Sequence, residues 1–454
     1  MNTKAEVTKS YKLAAIFAIC LGVIMAMIDT GITNTALPTI AQEFKTSEAS
    51  TVWAVTAYLL AMVAMTLPFA SLGEVIGFRI IFIVGLMVFT LASLLCGLSW
   101  SLPTLVGARI LQGIGAAGIL STNLPLIRFT FPPQKLGVGL GINAICMGVG
   151  FSLGPTLASL ILWFTTWHWL FLMNVPLGLV ALAISFHSLP KTPLSHYRFD
   201  NLAACFCGIG FAALIFGIGE CAHRQPLSMI IPTFVISFVA ISALIIRQKN
   251  HPAPFLAFDL FSSRIFTLSI LAVLFAFIAQ GIAFVALPFS FQMLMHKSQF
   301  ATGFLIAPWP ACAALTSTFT GRLSDHFSPV LLVAIGMLLC ASGMFSLSLL
   351  GEGTPVFVIV ICMMVCGCGM GFFNAPNQRV IMLSAPADRS GAAGGIMGIA
   401  RLIGQSVGST LVAFFLIMSS HYGSRYALWC GTACFLLAVL TGGLRLTSGK
   451  AKKS

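Results

Sequence analysis

Fourteen stretches of predominantly apolar residues run through this chain, near 13–36, 51–70, 80–99, 103–126, 137–161, 168–188, 201–220, 227–246, 265–288, 300–320, 329–350, 355–378, 391–417 and 425–446. Each is about long enough to cross roughly 30 Å of hydrocarbon, where backbone polar groups have no water and must bond within their own segment. With 58% hydrophobic residues, 8% charged residues and a mean hydropathy of +1.00, no water-soluble reading of 454 residues survives. The chain is expected to be an all-α, multi-pass membrane protein.

A net charge of +13 would suit a nucleic-acid binder, but its distribution points elsewhere. Placing both termini in the cytoplasm assigns eighteen Lys and Arg to that side and four to the other, and leaves Arg109 and Arg401 inside the membrane, which accounts for all 24. The first apolar run is too long for the core of a cleavable signal and is expected to stay as a helix. Neither the 13 Cys nor the eight His show metal-ligand spacing, and most Cys read as small buried hydrophobes, so no metal is expected. GxxxxGK[ST] does not occur, which argues against ATP as the energy source.

The loop ASLGEVIGFR (70–79) is echoed by GRLSDHFSPV (321–330), with Leu72 on Leu323 and Glu74 on Asp325. GPTLAS (154–159) is echoed by GSTLVA (408–413), with Gly141 and Gly150 falling on Gly395 and Gly404. Two matches at nearly one offset imply a duplicated bundle of six helices. Residues 1–188 form the first bundle, 189–264 a linker with an inserted helix pair, and 265–454 the second bundle. Repeated halves are how many secondary transporters frame a central site.

Within the first run, MAMIDTGITNTALP (25–38) holds one acid, Asp29. A carboxylate at mid-membrane costs roughly 2.5–3.5 kcal/mol on insertion scales, and it can be neutral when occluded and charged when wetted, as a proton carrier must be. The alternative is an acid satisfied by Thr30, Thr33 or Asn34 that serves packing alone. Pro38 marks where that helix is expected to bend or end. Arg109 in GARILQGIGAAG (107–118) cannot discharge and so needs partners: carbonyls, water, or Asp29 if the first and fourth helices adjoin; the alternative is a side chain snorkelling to the outer interface. Arg401 in GIARLIGQSVGS (398–409) has no acid in its own helix and reads as an anion partner, a hydrogen bond between halves, or a buried structural Arg. Asn34, Asn374, Asn377, Gln378 and Arg401 are the candidates for a polar cavity lining. Gly150, Gly154 and Pro155 mark a helix able to bend or slide. Trp163, Trp167 and Trp169 read as an interfacial belt.

On these motifs the chain resembles the major facilitator superfamily, and within it the fourteen-helix drug:proton antiporters. ASLGEVIGFR looks like the superfamily's signature between the second and third helices, matching at Glu74, Gly77 and Arg79, with Ala70 in place of the usual Gly. RILQGIGAAG looks like the fourth-helix motif, and GPTLAS like the antiporter motif of the fifth, with Ala158-Ser159 where a Gly pair usually closes it. IDTGITNTALP looks like the first-helix motif of the fourteen-helix group, departing at Gly31 and Thr33, and WHWLFLMNVPLG (167–178) resembles that group's entrance to the sixth helix. The resemblance implies a proton-coupled exporter of lipophilic drug-like compounds in the bacterial inner membrane, monomeric, with no cofactor and the proton gradient as its energy source. Asp29 would be the proton or cation site and Arg109 its relay partner. Glu74, Gly77, Arg79, Gly321, Arg322 and Asp325 would form a cytoplasmic gate. Two alternatives keep the fold: a dedicated exporter of a metabolite such as a siderophore or amphipathic acid, with Arg401 as anion partner, and a non-transporting membrane sensor.

Overall fold

In a computed structural model, residues 2–131, 136–194, 199–222, 226–248, 258–324, 326–385, 390–419 and 422–450 are described. Fourteen helices among them are long and apolar enough to cross a membrane: α1 Leu13–Glu43, α2 Glu48–Ile76, α3 Phe78–Gly97, α4 Leu102–Thr130, α5 Ile145–Phe164, α6 His168–Ser188, α7 Asn201–Cys221, α8 Leu227–Gln248, α9 Arg264–Leu294, α10 Gln299–Thr320, α11 Pro329–Leu349, α12 Val356–Ser384, α13 Ala393–Met418 and α14 Gly423–Arg445. All fourteen expected runs are present. Fourteen described spans, an even number, are what a chain with both ends on one face, here termed the chain-end face, requires.

Local sequence sets several helix ends. Ser101 and Thr104 exchange side-chain bonds at the start of α4, with a proline in its first turn where a missing N–H costs nothing. Gly77, at φ +104°, makes the break between α2 and α3 that a side chain would strain. Of the two outcomes expected at Pro38, a bend or an end, the structure excludes the end: the helix continues to Glu43, because neighbouring helices and side chains can serve the backbone groups that a proline frees.

The first bundle is built by α1 against α5, α6 and α4, and by α4 against α2 and α3. The second repeats it, with α9 against α13 and α14, and α12 against α10 and α11. The repeat read from the loops has a parallel in the helix crossings. A Cβ on Gly31 would meet Gly154 Cα at 3.1 Å where α1 crosses α5; 250 and 254 positions on, a Cβ on Gly408 would meet Gly281 C at 3.1 Å where α13 crosses α9. Such contacts let backbones approach closely in lipid, where helices gain nothing from hiding apolar surface from tails. The inserted helices α7 and α8 pack on each other, and α7 also lies against α2 and α13, one helix from each bundle.

The two bundles are joined toward the face opposite the chain ends. Thr56 and Ser409 share a hydrogen bond of 3.0 Å, Gln292 Nε2 donates to the Thr35 carbonyl at 3.4 Å, and Ser159 Oγ donates to the Gln299 carbonyl at 3.1 Å. Trp163 meets Phe300 in the same layer. The last turn of α9, Ser290–Leu294, is a π turn that includes Gln292.

Candidate functional site

Five helices of the first bundle converge on Asp29, which is wholly buried. Arg109 Nη1, from α4, donates to Asp29 Oδ2 at 2.5 Å and to Gln112 Oε1 at 2.5 Å. Arg109 Nε donates to the Ala54 carbonyl of α2 at 2.9 Å, and the guanidinium lies 4.1 Å from the Tyr58 ring centre. Gln112 Nε2 donates to Asp29 Oδ1 at 2.8 Å and to Ser93 Oγ of α3 at 2.9 Å. Asn174 of α6 completes the ring, its Nδ2 3.4 Å from Asp29 Oδ1. Arg109 is 1% exposed, so neither charge has water to fall back on. Sequence reasoning paired Asp29 with Arg109 and missed Gln112, Asn174, Ser93 and Tyr58. Gln112 was open to discovery, since three positions from Arg109 it must share that helix face.

The second bundle carries no counterpart of this pair. By the duplication Asp29, Tyr58, Arg109 and Gln112 correspond to Ala279, Trp309, Met363 and Cys366, all fully buried. The register is fixed by glycines: Gly113 packs on the Tyr58 carbonyl as Gly367 packs on that of Trp309. Among the described residues, the buried ion pair lies in the first bundle.

Between the bundles lies a void of about 20 Å³, room for a water or two, lined among others by Thr30 and Asn34 of α1, Phe151 of α5, Gln280 and Phe284 of α9 and Gln405 of α13. Thr30 and Gln280, Asn34 and Phe284, and Phe151 and Gln405 are duplicated positions, so the void sits on the pseudo-twofold axis. Thr30 directly follows Asp29, which faces the other way. One residue step on α1 therefore separates the sealed pair from the central void.

Not every expected lining residue is there. Asn377 points into the second bundle: its Nδ2 donates to the Ser269 carbonyl at 3.4 Å, and its Oδ1 accepts from Arg445 Nη1 at 2.8 Å. A buried guanidinium needs acceptors, and Arg445, 3% exposed rather than facing water as expected, takes Asn377 for one. Asn374 is half-buried, Gln378 exposed, and neither lines the void. Arg401 is half-buried on α13 one turn from Gln405, its Cζ 5.8 Å from the Phe277 ring centre.

At the chain-end face, Glu74 is exposed and makes no ion pair among the described residues, and Arg79 donates instead to the Phe186 carbonyl. The surroundings of Gly321, the side chain of Arg322 and the whole of Asp325 lie outside the described residues. Gly150 and Gly154 press α5 onto α1, with Met27 Cβ and Gly31 Cα at 2.8 and 2.9 Å from the places their Cβ atoms would take. Of the three tryptophans, Trp163 and Trp169 are exposed as a belt requires, but Trp167 is fully buried and donates from Nε1 to Glu43 Oε2 at 2.7 Å. An indole beside a helix end finds a partner for its N–H when one is in reach.

Two helix bundles around a central void are an architecture that many transporters use to frame a substrate site. The chain belongs to the Major Facilitator Superfamily, whose family model matches residues 19–409, and it is a transporter, not an enzyme. It is 39% identical to the uncharacterized transporter YebQ of Escherichia coli (strain K12), over 97% of each chain. It is 28% identical to the riboflavin transporter RibZ of Clostridioides difficile (strain 630), over 91% of this chain and 90% of that one. With the tetracenomycin C resistance and export protein of Streptomyces glaucescens it shares 27% identity, over 94% of this chain and 79% of that one. Its fold matches the crystal structure of a bacterial homolog of the human lysosomal transporter Spinster in an inward-facing, unoccupied conformation, with a TM-score of 0.70, 16% identity and 96% of each chain covered.

Proposed function

We propose that this protein is a proton-coupled exporter of lipophilic, drug-like compounds in the bacterial inner membrane, with both chain ends in the cytoplasm. The observation that carries the reading is the sealed Asp29–Arg109 pair, on a helix whose next residue lines the central void. A guanidinium cannot release its proton, so Asp29 is the member of the pair that can change charge. Ionised, it ties α1 to α4 directly, and to α2 through the Ala54 bond of Arg109.

Protonation removes the charge that compensates a buried cation, so Arg109 must find other acceptors and α1 must shift against α2 and α4. The Gly31–Gly154 crossing is where α1 can slide on α5, and Thr30 and Asn34 move with it into the substrate space. Proton binding and cavity shape are coupled through one helix. The half-to-half bonds at the far face fit a state closed to the outside. Glu74, unpaired here, would engage a basic partner when the bundles close at the cytoplasmic face, with Asp325 as its duplicated equivalent.

The test is dye efflux from cells stripped of other exporters. Wild-type chain should lower accumulation of a lipophilic dye until a protonophore is added; Asp29→Asn should not lower it at all. Protonophore-insensitive efflux would overturn proton coupling.

A further inference from the structure

We propose that the central cavity holds a subsite for an organic anion, with Arg401 as the group that receives the negative charge. This rests on the exporter reading and names its cargo: an amphipathic molecule with a carboxylate, sulfonate or phosphonate at one end and an apolar, ring-bearing body.

Arg401 differs from the other arginines of the membrane interior. Arg109 has Asp29, and Arg445 has Asn377 and the Leu268 carbonyl at 3.2 Å, whereas Arg401 has no hydrogen bond or ion pair among the described residues. What it has is the Phe277 ring, at a distance where a cation is held weakly by the ring face. A guanidinium left half-buried with its donors unspent is a site for a planar anion, which it can take with two parallel bonds.

Its position is set by helical spacing. Arg401, Gln405 and Ser409 recur at intervals of four along α13, and the last two line the void, so Arg401 stands one turn nearer the chain-end face on the same stripe. In the other half the duplicated position is Met147, so only one wall of the cavity is charged.

A second observation comes from across the void. Asn34, 6% exposed, has an Oδ1 with no hydrogen-bond partner although it lines the space between the halves. An orphaned buried acceptor asks for a donor from whatever fills the cavity. Asn34 is level, by the duplication, with Phe284, and Arg401 lies beside Phe277, seven residues down α9; at 1.5 Å per residue the two polar anchors differ in level by about 10 Å along the helix axis. Phe151 and Phe284, with ring centres 5.0 Å apart, supply the apolar wall near the Asn34 level.

Electrostatics decides against the usual alternative of a lipophilic cation. Asp29 is the one acid within the described spans far from either face, and it is engaged by Arg109 with its back to the void. A cation would meet Arg401 and no carboxylate. An anion meets a ready partner.

The test is binding to purified protein in detergent, read as ligand-induced thermal stabilisation, with three probes sharing one ring system: 2-naphthylacetate, 2-naphthylacetamide and 2-(2-naphthyl)ethylamine. The wild type should favour the acid. Arg401→Gln should weaken the acid by roughly 10–100-fold and the amide by no more than about threefold, which is the range for one charge-assisted contact. Arg401→Lys should keep the acid preference at reduced affinity, which a purely structural arginine would not do. Acid binding equal in Arg401→Gln and wild type, preference for the amine, or no preference among the three overturns the proposal. Because this binding needs no proton gradient, failure here leaves Asp29-dependent coupling standing. Loss of coupling with the acid preference intact would instead remove the exporter reading and keep the subsite.

Discussion

Removing one charge from the Asp29–Arg109 pair should not be equivalent to removing the other. Both groups are at most 1% exposed, and each is the other's only counter-charge among the described residues. Asp29→Asn leaves a permanent cation in the bundle with neutral acceptors such as Gln112 and the Ala54 carbonyl and the faces of Tyr58 and Phe171 but no counter-charge, and breaking a buried pair this way costs about 3–5 kcal/mol. Arg109→Met leaves a carboxylate, which can take up a proton and become neutral. The double variant leaves no charge and should be less damaged than Asp29→Asn alone. The assay is thermal unfolding in detergent between pH 5.5 and 8. We expect Asp29→Asn to fall by roughly 5–15 °C at every pH, from the usual few degrees per kcal/mol for a bundle of this size. Arg109→Met should be weak at pH 8 and recover as the pH falls. The double variant should melt above Asp29→Asn and lack the recovery at low pH seen in Arg109→Met. A double variant whose loss is the sum of the two single losses, or an Arg109→Met variant that acid does not rescue, would refute the reasoning.

Other expectations follow from single contacts. Gly31→Val would drive a branched side chain into Gly154 Cα and Pro155 Cδ, 3.1 and 3.2 Å from its Cβ, and should cost about 1–3 kcal/mol and stall turnover; normal transport rates would show that α1 does not slide at that crossing. Ser159→Ala removes a bond between halves worth about 1 kcal/mol, and spin labels across the far face should report about fivefold more of the separated state. Trp167→Phe keeps the ring and removes the N–H that Glu43 accepts, so it should destabilise by about 1 kcal/mol with no change in cargo preference. Glu74→Gln should slow transport while leaving the melting temperature within a degree, since the exposed carboxylate has no ion-pair partner among the described residues in this state.

The spans, their even number and the duplication were all legible, because twenty apolar residues in lipid have one way to satisfy their backbone and a repeated half repeats its glycines. Asp29 was one of several partners the sequence left open to Arg109, and the family resemblance favoured it; the structure joins the two directly. What stayed hidden were the uncharged members. Asn174 lies inside the quoted WHWLFLMNVPLG stretch, yet a neutral amide gives no sign of whether it faces lipid, a neighbour or a cavity. Asn377 shows the consequence of that ambiguity: a helix rotation of a fraction of a turn moves its amide from the cavity to Arg445. Gln280, in an apolar run with no charged residue, and Gln405, one helical turn from Arg401, carried the same kind of signal at lower strength. Ser159 looked like a departure from the fifth-helix motif, and the structure gives it a task there, since its hydroxyl reaches the Gln299 carbonyl of the other half.

The most direct test of the coupling claim is proton movement in proteoliposomes carrying an internal pH dye, with 2-naphthylacetate, 2-naphthylacetamide and 2-(2-naphthyl)ethylamine added in turn to wild type and to Asp29→Asn. The account expects substrate-triggered proton flux in the wild type and none in Asp29→Asn, although that variant still binds the probe. Equal flux in the two proteins would contradict it and leave Asp29 a structural acid.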